Sequence, residues 1–229
     1  MTVSKIFTTN WKVYQEVISH DYMHHLAFGN EISNTFQTIK KQAGLSVLDI
    51  GCGDANQICN KLQQLDLASY TGYDLSEPAL ELAKKNLSNI NANIQLLKGD
   101  MQELLRNEKS MFDVIHSSFA IHHLQDDEKQ NLFKECYKRL NKNGILLYTD
   151  VFRPDGQNRE TYLAAYTRNM KANWPMLNEE ERQLICDHIN NYDFPANIND
   201  CNGWLTDTGF TIKQVIQPDA FHYMIIATC

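Results

Sequence analysis

The fold is decided by the stretch Leu45-Ser-Val-Leu-Asp-Ile-Gly-Cys-Gly-Asp-Ala55. Its first six residues are almost continuously apolar, which is typical of a strand buried on both faces of a parallel sheet. Gly51 and Gly53 then predict a tight turn that leaves no side chain between the backbone and a ligand. A strand, such a turn and a helix N-terminus together predict a cradle for a nucleotide or cofactor. The third glycine of the dinucleotide-binding pattern is absent, because Asn56 occupies its position.

Composition limits the functions that the chain can have. Its 229 residues are enough for one large α/β domain or two small ones, and the net charge of −7 opposes a broad nucleic-acid surface. We expect no nucleic-acid partner and no membrane span, and the lack of a signal-peptide core favours a cytoplasmic location. The six cysteines are scattered and no metal-ligand spacing is present, so we expect neither a disulfide framework nor a metal site.

Periodicity predicts helices and strands in alternation on both sides of the cradle. Two amphipathic helices are predicted over residues 10–42, with a break at 21–29. The cradle is followed by predicted helices at 54–65, 78–87, 101–106 and 126–140, and by strands at 69–74, 93–97, 112–116 and 145–152.

The last third of the chain departs from this alternation. Residues 153–197 form an insertion with helices at about 158–172 and 178–190, and insertions at the carboxyl edge of a sheet commonly cover a substrate. A helix at 199–208 and strands at 210–216 and 221–228 follow. Only four residues separate these two strands, so they must be antiparallel neighbours. We therefore predict an N-terminal helical lid at 1–43 and one domain at 44–229 with a helical cap at about 153–197.

Two acids follow predicted strands at the same edge as the glycine turn. Asp74 lies 21 residues beyond Gly53, where dinucleotide-binding folds place an acid that holds the ribose hydroxyls. Its alternative role is a helix cap, although Ser76 already supplies that signal. Asp100 is expected to accept from an adenine amine, and its alternative role is again a helix cap.

Taken together, these motifs resemble the class I S-adenosylmethionine-dependent methyltransferases. The resemblance is carried by Val47-Leu-Asp-Ile-Gly-Cys-Gly53, Tyr73-Asp-Leu-Ser76, Gly99-Asp-Met101 and the segment from Phe112 to Leu124. It implies an α/β fold, a three-layer Rossmann-like sheet of seven mostly parallel strands. The implied order is 3-2-1-4-5-7-6, with strand 7 antiparallel. The cofactor would be S-adenosyl-L-methionine, with S-adenosyl-L-homocysteine as its product.

The resemblance also implies a set of cofactor-binding residues. Asp49 would organise the methionine end, while Gly51 and Gly53 would let the backbone approach it. The segment from Tyr22 to His25 resembles the family's N-terminal lid. The full set is Asp49, Gly51, Cys52, Gly53, Asp74, Leu75, Asp100, Met101, Ser117, Ser118, Phe119 and Tyr22.

Within this set, the adenosine end is assigned to the second and third strands. Asp74 would hold the ribose with Leu75 packed on the adenine, and Asp100 would meet the adenine amine with Met101 against the ring. The segment from Ser117 to Phe119 would pass beside the sulfonium.

The expected reaction is methyl transfer to an oxygen or nitrogen atom of a small molecule. A base helps when the acceptor must lose a proton, and histidine is the natural candidate near neutral pH. We assign that role to His122 or His25, with His123 and His188 also near the expected mouth and a structural role open for all of them.

Three alternatives to this function stay open. They are a nicotinamide-dependent oxidoreductase, which the absent third glycine opposes, a non-catalytic cofactor-binding scaffold subunit, and an RNA or protein methyltransferase, which the acidic charge opposes.

Overall fold

The computed structural model describes residues 11–39 and 44–229. The ends of the predicted 10–42 helical region and the predicted 43/44 boundary therefore lie partly outside the described residues. Among the described helices, none is both long and apolar enough to cross a membrane.

The elements alternate along the chain as the periodicity predicts. The strands are β1 (Leu45–Ile50), β2 (Leu67–Asp74), β3 (Asn93–Lys98), β4 (Phe112–Ser118), β5 (Leu140–Arg153), β6 (Ala196–Asn197), β7 (Thr211–Ile216) and β8 (His222–Thr228). The helices are α1 (Trp11–Ser19), α2 (His25–Ile39), α3 (Asn56–Leu62), α4 (Glu77–Asn86), α5 (Met101–Asn107), α6 (Asp126–Arg139), α7 (Arg159–Asn173), α8 (Glu179–Tyr192) and α9 (Ile198–Thr208). A short 3₁₀ turn, Ile121–His123, follows β4.

The strands form one sheet in the order β3-β2-β1-β4-β5-β8-β7, and the two-residue β6 pairs with β5. Strands β1 to β5 are parallel neighbours, whereas β8 runs antiparallel to both β5 and β7. Without β6 in the numbering, this is the predicted order 3-2-1-4-5-7-6 with an antiparallel last strand, and that prediction is confirmed. The carboxyl ends of β1, β2 and β4 consequently meet at one edge.

The sheet is covered on both faces, which explains the continuous apolar run of β1. Val47 packs into the layer that contains α1 to α4, α7 and α8, and its neighbour Leu48 packs into the layer of α5, α6 and α9. Both side chains are fully buried. A strand with two buried faces has no polar alternation, so its hydrophobic run is continuous.

Several element boundaries differ from the prediction by a few residues, and three of these differences lie close to the predicted site or at backbone irregularities. Helix α2 begins at His25, inside the predicted break. Helix α3 begins at Asn56 instead of residue 54, because Ala55 has the left-handed φ of 55° and cannot be helical. Strand β5 extends back from the predicted residue 145 to Leu140 through an irregular pairing, with Asn143 at φ 62°.

Candidate active site

The turn after β1 brings bare backbone to the carboxyl edge of the sheet. Gly51 and Gly53 have φ values of 70° and 53°, which L side chains rarely adopt. A Cβ at Gly51 would lie 2.3 Å from the Cβ of Ala120, whereas a Cβ at Gly53 would meet nothing within 4 Å. Gly51 thus permits close packing of the loop after β4, and Gly53 faces open space.

The carboxylate of Asp74 ties the end of β2 to this turn. Its Oδ2 accepts from the Gly53 amide at 2.8 Å, and its Oδ1 accepts from the Ser76 amide at 2.8 Å. Burial raises the pKa of this carboxyl, and the hydrogen bonds from Ser76 and Gly53 oppose that rise. A desolvated carboxylate of this kind gains from further hydrogen-bond donors.

A pocket, named here the glycine pocket, lies at the ends of β1, β2 and β4. Of the predicted cofactor-binding residues, seven line it: Gly51, Gly53, Asp74, Leu75, Met101, Ser118 and Phe119. Its other lining residues are Tyr14, Tyr73, Ser76, Ala79, Gly99, Ala120 and His123. A residue of α1, Tyr14, is among these and was not assigned to the site from sequence, because helical periodicity marks it only as a core position.

Three other predicted residues are buried and are not among the lining of the glycine pocket. Asp49 is buried, and its two carboxylate oxygens contact the Tyr70 hydroxyl and His116 Nδ1, each at 2.7 Å. Cys52 is buried in the turn. Ser117 is fully buried and donates to the Ile50 carbonyl at 2.8 Å. These residues support the backbone next to the pocket. Their direct contact with the cofactor stays a prediction.

Asp100 and Tyr22 are occupied by structural contacts. Asp100 is exposed and caps α5 by accepting from the amides of Gln102 and Glu103, which is the alternative left open for it. The Tyr22 hydroxyl accepts from the Met176 amide at 3.1 Å, and its ring stacks on Trp174. Tyr22 therefore fastens the N-terminal helices to the insertion.

A second pocket, named here the apolar pocket, adjoins the first and shares Tyr14, Phe119 and His123 with it. Helices α1, α7 and α8 form its walls. Its aliphatic and aromatic lining consists of Val13, Val17, Met23, Val151, Tyr166, Trp174, Leu184, Ile185 and Ile189. Its polar lining, apart from the shared residues, is His122, His188 and Asp193.

These polar groups converge on one carboxylate oxygen. Asp193 Oδ1 lies 3.6 Å from His122 Nε2, 3.4 Å from His123 Nδ1 and 3.5 Å from His188 Nε2. We refer to these four residues as the histidine cluster. On the far side of His122, its Nδ1 lies 2.5 Å from Asp150 Oδ1.

Burial and charge act on the cluster in opposite directions. Burial lowers the pKa of His122, but Asp150 and Asp193 outweigh it and raise that pKa to about 9. Burial lowers the pKa of His188 to about 4 despite Asp193. The pKa of Asp193 falls to about 2, because the charge of His122 and the neighbouring imidazoles outweighs burial. The base role of His122 stays a prediction, and its position between two carboxylates does not favour it.

The chain segment that carries Asp193 is fixed by three cationic side chains. Arg159 Nε donates to the Asp193 carbonyl at 2.6 Å, and Lys129 Nζ donates to the Phe194 carbonyl at 2.5 Å. Arg153 Nε donates to the Pro195 carbonyl at 2.7 Å. Hydrogen bonds from these side chains therefore hold three consecutive carbonyl groups, and this fixes the position of the backbone that carries the Asp193 carboxylate.

The other predicted base, His25, lies behind the pockets. It is buried and packs edge-on against Phe119, with ring centroids 5.1 Å apart. Burial lowers its pKa to about 4, so the imidazole is neutral at physiological pH. Its Nε2 has no hydrogen-bond partner among the described residues. His25 is outside the lining of both pockets, and its base role also stays a prediction.

Comparison with known proteins finds similarity to methyltransferases over the part of the chain that contains the glycine turn and strands β1 to β4. The family model of a methyltransferase domain matches residues 47–144. The chain is 32% identical over 149 residues to an uncharacterized methyltransferase of Anoxybacillus flavithermus, with 65% of each chain covered. It is 32% identical over 112 residues to malonyl-[acyl-carrier protein] O-methyltransferase of Halalkalibacterium halodurans, covering 48% of this chain and 40% of the relative.

Further similarity is found at lower identity. Phosphoethanolamine N-methyltransferase of Plasmodium falciparum is 28% identical over 70% of this chain and 59% of its own length. The chain thus spans between 40% and 65% of the length of these three relatives. Magnesium protoporphyrin IX methyltransferase of Synechocystis PCC 6803, solved with bound SAH, has the same fold, with a TM-score of 0.68, 16% identity and coverage of 99% and 97%.

Proposed function

We propose that the chain, which is similar to a methyltransferase domain over residues 47–144, is a class I S-adenosylmethionine-dependent methyltransferase that transfers a methyl group to an oxygen or nitrogen atom of a small, partly apolar molecule. One observation carries this proposal. The glycine pocket and the apolar pocket are separate chambers that share a wall of Tyr14, Phe119 and His123. A donor in one chamber and an acceptor in the other would meet at that wall.

The glycine pocket fits an adenosyl cofactor. Gly53 faces open space, where a side chain would otherwise stand. Asp74 holds the turn in place and, as a carboxylate, retains lone pairs for two ribose hydroxyls. Leu75 and Met101 offer apolar surface for an adenine ring.

Methyl transfer depends mainly on the position of the acceptor atom relative to the methyl group. Bound S-adenosylmethionine supplies an electrophilic methyl group on a sulfonium sulfur. The acceptor atom must lie about 3 Å from the methyl carbon and opposite the sulfur, and holding it there supplies much of the acceleration. Its lone pair forms the new bond, the electrons of the broken carbon–sulfur bond stay on sulfur, and a hydroxyl or ammonium acceptor loses its proton.

The apolar pocket supports a small acceptor. Its walls are mostly aliphatic and aromatic, and its polar groups gather at one side, next to the shared wall. Such a pocket orients an apolar body and leaves one polar group facing the histidine cluster. We propose that α1 and α2 act as a lid and that the insertion with α7 and α8 acts as the acceptor cap, since these elements enclose the pocket.

The loop after β4 also favours this class of acceptor. The last two residues of β4 and the first two of this loop read Ser117-Ser-Phe-Ala120. Methyltransferases that act on the exocyclic amines of bases or on a glutamine amide carry an Asn/Asp-Pro-Pro-Tyr/Phe sequence at this position. The different sequence here supports a small molecule over a nucleic-acid base or a protein glutamine.

The test is to incubate the purified protein with S-adenosylmethionine and fractionated metabolite pools, and to measure S-adenosylhomocysteine by mass spectrometry. We expect at least one fraction to raise product formation well above the background, and Asp74→Ala to lower it. Binding of S-adenosylmethionine without product in any fraction would favour the non-catalytic scaffold. Binding of NAD in preference to S-adenosylmethionine would support the oxidoreductase alternative.

A further inference from the structure

We propose that three members of the histidine cluster, His122, His123 and Asp193, bind one divalent transition-metal ion such as Zn²⁺ at the polar side of the apolar pocket, with His188 next to Asp193. Nitrogen and carboxylate ligands of this kind suit Zn²⁺ and its neighbours in the first transition row. The existence of the site does not depend on the proposed function, whereas its role in methyl transfer does.

The first support is the spacing of the ligand atoms. The three imidazole nitrogens lie 3.4 to 3.6 Å from Asp193 Oδ1. Ordinary N–H···O hydrogen bonds are shorter, about 2.7–3.2 Å. Ligands about 2.0–2.2 Å from a tetrahedral zinc ion lie about 3.3–3.6 Å from one another. The separations of His122 and His123 from Asp193 Oδ1 therefore match metal-ligand spacing better than hydrogen bonds, and the ligand atoms of these three residues all lie within 4.8 Å of one another.

The second support is the state of Asp193. Its side chain is 5% exposed, and Oδ1 has no hydrogen-bond partner at ordinary geometry among the described residues. A buried carboxylate oxygen without an ordinary hydrogen bond has lone pairs available for a cation held among the surrounding nitrogens. The carbonyl bonds from Arg159, Lys129 and Arg153 hold its segment still.

The third support is the partner of His122. Its Nδ1 contacts Asp150 at 2.5 Å, which leaves Nε2 directed to Asp193 and the cluster. Metal-binding histidines usually donate their second ring N–H to a carboxylate in this way. His123 Nδ1 also lies 3.2 Å from the Tyr192 carbonyl oxygen, and this nitrogen gives up that hydrogen bond when it binds the metal ion.

Another histidine–aspartate group provides an internal comparison. Asp219 contacts His24 and His222 at 2.9 to 3.1 Å, which are hydrogen-bond distances. Its Oδ1 also accepts from the amides of Phe221 and His222. The lone pairs of Asp219 are already used, so we expect no tight metal site there.

A bound ion would serve the proposed reaction at the acceptor. It would attract an acceptor hydroxyl to the polar side of the apolar pocket and lower the pKa of that hydroxyl, as metal ions do for water. The oxygen would then face the wall shared with the glycine pocket.

The test uses the full chain after treatment with EDTA and dialysis, titrated with Zn²⁺ by calorimetry and with Co²⁺ by visible absorption. We expect about one equivalent of Zn²⁺ and a tetrahedral Co²⁺ spectrum. Asp193→Asn and His123→Gln should each weaken Zn²⁺ affinity at least tenfold, and Asp219→Asn should leave it unchanged. Circular dichroism checks that the variants are folded. If Asp193→Asn does not fold, the Zn²⁺ affinity of His123→Gln decides the test.

Lack of saturable Zn²⁺ binding by the wild type would overturn the proposal. So would equal affinity in the wild type and in both cluster variants, or a loss confined to Asp219→Asn. A separate titration with S-adenosylmethionine shows whether the proposed function fails independently of the metal site.

Discussion

Oδ2 of Asp74 accepts a hydrogen bond of 2.8 Å from the amide of Gly53, 21 residues earlier in the chain. This contact joins the end of β2 to the turn after β1, the two places from which the glycine pocket is built. Asp74 therefore has two tasks, because it fixes the turn and, in our proposal, also receives the ribose hydroxyls.

We predict that Asp74→Ala weakens binding of S-adenosylmethionine by roughly 1.5–3 kcal/mol, the scale of a hydrogen bond to a charged group. Asp74→Asn keeps an oxygen acceptor but loses the charge, so its loss should be smaller. Isothermal titration calorimetry measures both, with Asp207→Ala on the exposed side of α9 as the control. Unchanged affinity in Asp74→Ala would remove Asp74 from the cofactor site.

Gly53 provides a test in which a matched glycine is available. Both Gly53 and Gly156 have positive φ, and an added Cβ would meet nothing within 4 Å at either position. Alanine at each should cost about 1–2 kcal/mol of backbone strain. Only Gly53→Ala should also weaken binding of S-adenosylmethionine, since Gly156 is outside the lining of both pockets. Thermal melting and calorimetry separate the two effects, and equal cofactor affinity in both variants would contradict our placement of the cofactor.

Lys129 tests whether the segment with Asp193 is held as described. Its side chain is fully buried and donates to the carbonyls of Leu124 and Phe194. Lys129→Met leaves these carbonyls without that donor, and we predict a loss of roughly 1–3 kcal/mol in the free energy of unfolding. Urea denaturation measures it. Lys134→Met, exposed on the same helix, is the control and should change stability little. Equal stability of the two variants would argue against this role for Lys129.

The buried imidazole of His25 predicts a pH dependence of stability. Its pKa falls from 6.5 to about 4 on folding because burial disfavours the charged form. The unfolded chain therefore binds a proton between these values while the folded chain does not, so stability is retained above pH 6.5 and lost as the pH falls toward 4.

His25→Gln should remove up to roughly 3 kcal/mol of that loss, at about 1.4 kcal/mol per pKa unit. Denaturation of wild type and variant at pH 7.5 and pH 4.5 gives the difference. His20→Gln, at an exposed position, is the control and should keep the wild-type slope. If His25→Gln keeps that slope as well, the imidazole is not buried in its neutral form.

The sequence predicts the sheet well because its signals are local or topological. The apolar run Leu45–Ile50 and the two glycines define β1 and its turn, and the short connection before β8 requires an antiparallel pair. Asp74 is placed at the pocket by the same logic, since a residue at the end of a parallel strand lies at a known edge of the sheet.

What sequence could not predict depends on contacts between distant segments. Asp49 has the partners Tyr70 and His116 from neighbouring strands, so its side chain turns away from the pocket surface. The histidine cluster unites the turn after β4 with the end of α8. The spacing of these residues in the sequence does not indicate that they lie close together, and the sequence accordingly predicts no metal site.

The most direct test of our central claim is a crystal structure of the protein with bound S-adenosylhomocysteine. We predict that its ribose contacts Asp74, that its adenine lies between Leu75 and Met101, and that its sulfur faces the wall formed by Phe119 and His123. An adenosyl group bound elsewhere, or a glycine pocket that stays empty at saturating ligand, would contradict the account.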